Sequence, residues 1–279
     1  MTTTTRQHCI NLPLFGDPDR AEKFEGVQGL VDEAVGFIQE HEPPEGYFVG
    51  FSGGKDSIVS LELCRMAGVK HQAFYSATGI DPPELVKFIR REYSEVTFLR
   101  PSRSFLSLVE TWFPPMRTSR WCCDEIKKAP SRVTKIKRLG GNPLRHRIMG
   151  IRAEESAARA KRPRVAKVDG WGYFHYKPIF DWKEWAVWDF IEGLGLPFPD
   201  MYNDFGRIGC MFCPFITGPS ERNRLMIQRH RDRWPAFYRA FERACRRWWE
   251  KRRIERPEVV AKYEPTFEDW LRAYYRGFE

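Results

Sequence analysis

The sequence predicts an α/β fold, a mostly parallel twisted sheet flanked by helices, with an appended helical C-terminal region. Three observations predict it. Short apolar strand candidates alternate with helical patterns between residues 24 and 193, the first of these strands runs straight into a double-glycine turn, and aromatic residues recur at helical intervals beyond residue 236.

The first element is an amphipathic helix, because Phe24, Val27, Leu30, Val31, Ala34, Val35 and Ile38 repeat at helical spacing after a polar start through about Arg20. Residues 47–51 then form an all-apolar strand, and a helix of about 57–67 follows its loop. Gln72 to Ser76 reads as the second strand. Asp81, Pro82 and Glu84 supply a cap, a first-turn proline and a capping-box partner for the next helix. Val96–Leu99 and Arg147–Ile151 are further short strands. Arg159 to Gly172 is basic and lacks apolar periodicity, which predicts a flexible loop able to close over a substrate. Asp181 to Glu184 repeats the capping-box pattern before a helix that ends near Gly193. In a parallel sheet of this kind ligands gather at the carboxyl ends of the strands, where Ser52 and Arg152 would both sit.

The chemistry of the first turn is the most specific signal. Tyr47 to Phe51 leads directly into Ser52-Gly53-Gly54-Lys55-Asp56-Ser57. Two glycines let successive backbone N–H groups converge on one anion, the following helix adds its positive end, and Lys55 brings a mobile charge. The spacing is not that of the Walker loop. A turn of this kind suits the phosphates of ATP, with Lys55 placed to stabilise negative charge that develops on them. Asp56 reads equally well as a Mg2+ ligand or as a helix cap. Arg152 and Arg159 are candidates to grip phosphate oxygens, with an ordinary surface arginine as the alternative for each, and Glu155 to orient Arg152 or act as a base. The six histidines show no paired spacing, so none receives a catalytic role.

Cysteines carry the second signal. Of seven, four form a pattern: the adjacent Cys122-Cys123 and the later Cys210-Met211-Phe212-Cys213. The set reads as four thiolates for one metal centre, iron–sulfur ahead of zinc, with two disulfides as the structural alternative. The absence of an apolar leader or membrane-length apolar run leads to the expectation of a reducing cytoplasm and no membrane partner.

Composition fits a soluble enzyme. With 279 residues and 42% hydrophobic content the chain can bury a large core, and its net charge of +9 is unevenly spread. Residues 219–256 hold thirteen Arg or Lys against five Asp or Glu, and residues 145–167 eight against two. Such stretches suit DNA or RNA as a partner, or are simply solvated faces. Phe237, Tyr238, Phe241, Cys245, Trp248 and Trp249 fall on one side of the C-terminal helix and are expected in the core.

Taken together, the motifs resemble a known family. The turn Ser52–Ser57 is similar to the pyrophosphate loop of N-type ATP pyrophosphatases. Cys122-Cys123-Asp124-Glu125-Ile126-Lys127-Lys128-Ala129-Pro130 with the later Cys-x-x-Cys resembles the cluster pattern of assimilatory adenylylsulfate reductases. Gly150-Ile151-Arg152-Ala153-Glu154-Glu155-Ser156 with Arg159, and Pro178 to Trp182, resemble other motifs of the wider phosphoadenylylsulfate reductase family. The resemblance implies an adenine nucleotide α-hydrolase-like fold, a 4Fe-4S cluster on Cys122, Cys123, Cys210 and Cys213, and Lys127 and Arg152 facing the nucleotide. Two departures distinguish this chain from the reductases. Its loop keeps Lys55, and no cysteine follows Cys245, where a reductase is expected to carry its tail nucleophile. Ala77-Thr78-Gly79 stands where relatives often have Asp-Thr-Gly.

The resulting expectation has three regions: an arm and helix at 1–45, a nucleotide-binding α/β domain with the iron–sulfur site at 46–216, and a basic, aromatic-rich helical region at 217–279. The expected activity is that of an ATP pyrophosphatase, releasing AMP and pyrophosphate as it adenylates a substrate oxygen for sulfur transfer, in the manner of DNA phosphorothioation or tRNA thiolation. A cysteine desulfurase or another donor would supply the sulfur. The alternatives are sulfonucleotide reduction and a non-catalytic, nucleic-acid-binding iron–sulfur subunit.

Overall fold

The computed structural model describes residues 17–132, 144–168, 172–258 and 266–277. Helix α1 (Pro18–Glu40) is capped by the Asp17 carboxylate and buries Phe24, Val27, Val31, Ala34 and Ile38, as its periodicity predicts. Strand β1 (Tyr47–Gly50) is apolar on both faces, as a central parallel strand must be. Then come α2 (Lys55–Met66), β2 (His71–Ser76), α3 (Pro83–Glu92), β3 (Thr97–Leu99) and α4 (Phe105–Thr111). β4 (His146–Met149), a single helical turn α5 (Ala157–Ala160), β5 (Val165–Val168) and β6 (Tyr173–Tyr176) follow. The chain continues through α6 (Glu184–Leu194), α7 (Met201–Asp204), α8 (Glu221–Arg233), α9 (Pro235–Glu255) and α10 (Phe267–Arg276). Among the described residues no helix is long and apolar enough to cross a membrane.

The sheet has the order β3-β2-β1-β4-β6-β5. β1 is parallel to both β2 and β4, β6 is parallel to β4, and β5 at the edge runs antiparallel to β6. The expected fold class is therefore the one found.

Packing gathers the described residues into two compact units that interleave in sequence. One comprises those of 1–75, 87–97 and 133–200, the other those of 76–86, 98–132 and 201–279. In the first, α1 lies against α6. Gly193 permits this, since a Cβ there would come within 2.9 Å of the Phe24 Cβ and N. In the second, Phe212 stacks on Phe105 and Phe241, with ring centroids 5.6 and 4.7 Å apart, and joins the Cys-x-x-Cys segment to α4 and α9.

α3 begins at Pro83, beside the expected start, with Asp81 accepting the Thr78 hydroxyl (2.7 Å) and Glu84 accepting the Trp234 indole N–H (3.0 Å) and Arg233 (3.1 Å). Three local expectations need correction. The capping box at Asp181 does not form. α6 starts at Glu184 with no side-chain cap from Lys183, and it ends at Gly195 in the left-handed conformation (φ +61°). Within the predicted loop 159–172, of which 169–171 lie outside the described residues, Val165–Val168 form β5 paired with β6, and Arg164 is tied to Glu33 and to the Lys177 and Pro178 carbonyls. As an edge strand, β5 needs no apolar alternation to form. Finally, Phe237 is exposed and Trp248 half-buried, while Tyr238, Phe241, Ala244, Cys245 and Trp249 make the buried face of α9.

Candidate functional site: a glycine turn and a cysteine cluster

The turn begins where β1 and β4 end side by side, Gly50 being paired with Met149. Parallel neighbours deliver their following loops to the same end, which brings Ser52–Ser57 and Gly150–Arg152 together. Gly53 has φ +71°, a conformation that glycine adopts without cost. Gly54 caps α2 with extended backbone and has no side chain to occupy the space in front of the helix. The turn is fastened from inside: the Ser57 hydroxyl donates to the Gly54 carbonyl (2.8 Å) and accepts the Ser52 N–H (3.1 Å). Gly150 is required by this contact. A Cβ there would lie 2.4 Å from the Asp56 carbonyl oxygen and 3.0 Å from the Ser57 nitrogen.

Two of the predicted cations, Lys55 and Arg152, are at the turn, and both are engaged by carboxylates. Lys55 is buried, its ammonium 3.0 Å from Glu184 and 5.7 Å from the centre of the Trp188 ring. The hydrogen bond from Lys55 holds the Glu184 carboxyl below its ordinary pKa. Arg152 is buried and donates from Nε to Asp56 (2.6 Å) and from a terminal nitrogen to Glu154 (2.6 Å). Burial alone would lower the pKa of Arg152, but Asp56 and Glu154 outweigh it and raise it. Asp56, read from sequence as a magnesium ligand or a cap, is thus the ion-pair partner of Arg152. Glu155 accepts the Arg152 backbone N–H (3.0 Å) and pairs with Arg159. The sequence reading passed over Glu154, Glu184 and Trp188. Glu154 lies inside a motif already singled out, whereas nothing in the local sequence ties α6 to the turn.

The second unit holds the four patterned cysteines. Cys122 and Cys123 open a wide π-helical turn (Cys123–Lys128). Met211 is fixed by an N–H bond to the Ile80 carbonyl (2.8 Å), and its own carbonyl accepts the Tyr238 hydroxyl (2.8 Å). Arg117 spans the two cysteine segments, donating to the Pro214 (3.2 Å), Phe215 (3.3 Å) and Thr217 carbonyls. The thiols act on one another electrostatically. The Cys122 thiol hydrogen-bonds to Cys123, which, with Lys127, Arg120 and Lys128 nearby, holds Cys123 down to about 6. That bond, burial and the charges of Cys123, Cys210 and Cys213 push Cys122 up, and burial first, then neighbouring charge, pushes Cys210 up. Lys127 stays charged: the surrounding protein desolvates its ammonium, but Cys210 and Asp81 outweigh that effect and raise its pKa. Among the described residues no three His, Cys, Asp or Glu side chains are arranged to hold a metal ion. The donor set still has the chemistry of a soft-metal centre, four sulfurs beside a cation that favours thiolate. Cys64 and Cys245 are buried, and burial pushes both thiols up.

A parallel α/β sheet with a glycine turn at its carboxyl ends defines a nucleotide-binding class of protein. The chain belongs to the phosphoadenosine phosphosulfate reductase domain family, whose model matches residues 46–215. An uncharacterised protein of Methanocaldococcus jannaschii is 27% identical over 242 residues, which is 81% of this chain and 48% of that protein. An adenosine 5'-phosphosulfate reductase of Allochromatium vinosum is 26% identical over 172 residues, 57% of this chain and 64% of that one. The chain thus spans about half the length of the first of these curated relatives. In fold it is similar to the phosphoadenylyl-sulfate reductase of Candida auris, with TM-score 0.50 and 16% identity over 67% of this chain and 94% of that one.

Proposed function

We propose that the protein is an ATP pyrophosphatase that adenylates a substrate oxygen, releasing pyrophosphate, so that a sulfur nucleophile can then displace AMP. The observation that carries this reading is the turn itself: a glycine-opened helix start with Lys55 and Arg152 converging on it. Backbone N–H groups at the start of α2 would hold the pyrophosphate moiety, and Lys55 would neutralise the charge it acquires as the α–β bond breaks. Arg152 would orient the phosphate chain, and Asp56 would help hold Mg2+, which would supply positive charge to the phosphates. In this reading Arg159 lies behind Arg152, acting through Glu155.

Cys122, Cys123, Cys210 and Cys213 would hold a 4Fe-4S cluster, a reading supported by four sulfurs in one electrostatic group and by Lys127 beside them. When bound, such a cluster supplies a sulfur-binding or electron-carrying centre. A nucleic-acid substrate is supported by Arg239 and Arg243, which are exposed and form no ion pair among the described residues. Arg164 and Arg246, by contrast, are bound to Glu33 and Glu268 and are structural.

A second reading, sulfonucleotide reduction, is favoured by the adenosine 5'-phosphosulfate reductase relatives. It would need a nucleophilic thiol other than Cys64 and Cys245, which are buried; Cys9 lies outside the described residues. Product analysis separates the two. AMP and pyrophosphate formed from ATP support the first reading, whereas sulfite formed from adenylyl sulfate with no ATP turnover supports the second.

A further inference from the structure

We propose that Glu184 is a positioning residue that competes with phosphate for the Lys55 ammonium, so that a polyphosphate must displace it in order to bind. The proposal rests on the Ser52–Ser57 turn being a phosphate site. Its starting point is a charge imbalance. Three carboxylates, Asp56, Glu154 and Glu184, face two cations, Lys55 and Arg152. Adding a polyanion to such a group meets the repulsion of the excess carboxylate, which the departure of one carboxylate relieves.

The geometry decides which one leaves. The Arg152 side chain is 4% exposed and that of Asp56 is 21% exposed, so parting them would strand a buried charge. Glu154 is held twice, accepting Arg152 and the Glu184 backbone N–H (2.8 Å). The Glu184 side chain is 54% exposed; Lys55 is its one ion-pair partner among the described residues, and a hydrogen bond with the Trp188 side chain also holds it. Both bonds are made at a half-exposed position, so on release into water it loses less than a buried carboxylate would. Lys55, 8% exposed, stays where it is and exchanges a carboxylate oxygen for a phosphate oxygen. Because Glu184 is the first residue of α6, its departure need not disturb the helix that packs on α1.

Calorimetric titration with inorganic pyrophosphate tests this. Glu184→Gln should bind about threefold to fivefold more tightly than the wild type, the range expected for removing a half-exposed ion pair that competes with the ligand. Glu184→Ala should shift in the same direction, and turnover should show a lower KM for ATP. In a Lys55→Ala background the gain should vanish, because it acts through Lys55. Equal or weaker binding by both Glu184 variants, or a gain that persists without Lys55, overturns the proposal while leaving the phosphate site intact. No measurable binding of pyrophosphate or ATP by wild type and Glu184→Gln alike overturns the phosphate-site reading as well.

Discussion

Gly150→Ala tests the coupling between β4 and the turn most directly. The added Cβ would stand 2.4 Å from the Asp56 carbonyl oxygen and 2.6 Å from its carbon, both backbone atoms that cannot rotate away. Restoring an ordinary C···O contact of about 3.3 Å requires roughly 0.9 Å of relative movement. The movement falls on the first turn of α2, where Asp56 meets Arg152 and the Ser57 hydroxyl bonds Gly54. Overpacking of this kind costs about 1–3 kcal/mol, and for a large domain each kcal/mol lowers Tm by about 2–4 °C. A displacement near 1 Å at a catalytic turn costs about a hundredfold in rate. Thermal denaturation monitored by circular dichroism, with pyrophosphate titration and ATP turnover on the same preparation, measures all three effects. Gly206→Ala is the control, because a Cβ there meets nothing within 4 Å. Wild-type melting and wild-type pyrophosphate affinity for Gly150→Ala would refute the reasoning, since the turn would then tolerate a contact the geometry forbids.

Other outcomes follow from the same sites. Lys55→Ala should lower ATP turnover by about a hundredfold or more while weakening ATP binding less, because the amides at the start of α2 remain; equal losses in both would contradict its assigned role. Anaerobically prepared protein should contain about four iron and four sulfide per chain. Serine at Cys122, Cys123, Cys210 or Cys213 should abolish the iron–sulfur absorbance, whereas serine at Cys64 or Cys245 should not, and stoichiometric zinc without iron would exclude the cluster. Burial lowers the pKa of His230, which lies against the Met211 carbonyl (3.3 Å), so the folded chain holds it neutral. Its contribution to stability is therefore present above the unfolded value of about 6.5 and is lost as pH falls through the lower folded value. Melting temperature should drop less between pH 7 and pH 5 in His230→Gln than in the wild type.

The sequence determined the sheet and the turn, because both depend on short-range pattern. An apolar strand, a double glycine and an apolar helix face at 24–38 specify their own conformations wherever they are placed. Residue type alone also picked out Lys55, Arg152 and the four cysteines. Partners were another matter. That Lys55 would meet Glu184, that Asp56 would meet Arg152, and that Arg117 would reach three carbonyls beyond Cys213 are contacts across about a hundred residues of chain, and no local spacing encodes them. The same holds for the helix cap at Asp181: the motif was present, but the helix began later, at Glu184, with no side-chain cap. Tertiary packing also grouped the Cys122–Cys123 segment with residues 201–279, although it lies between β3 and β4 in sequence. Local propensity fixes what a segment can be. Long-range burial and charge pairing choose what it touches, because only the folded chain sets the distances on which both depend.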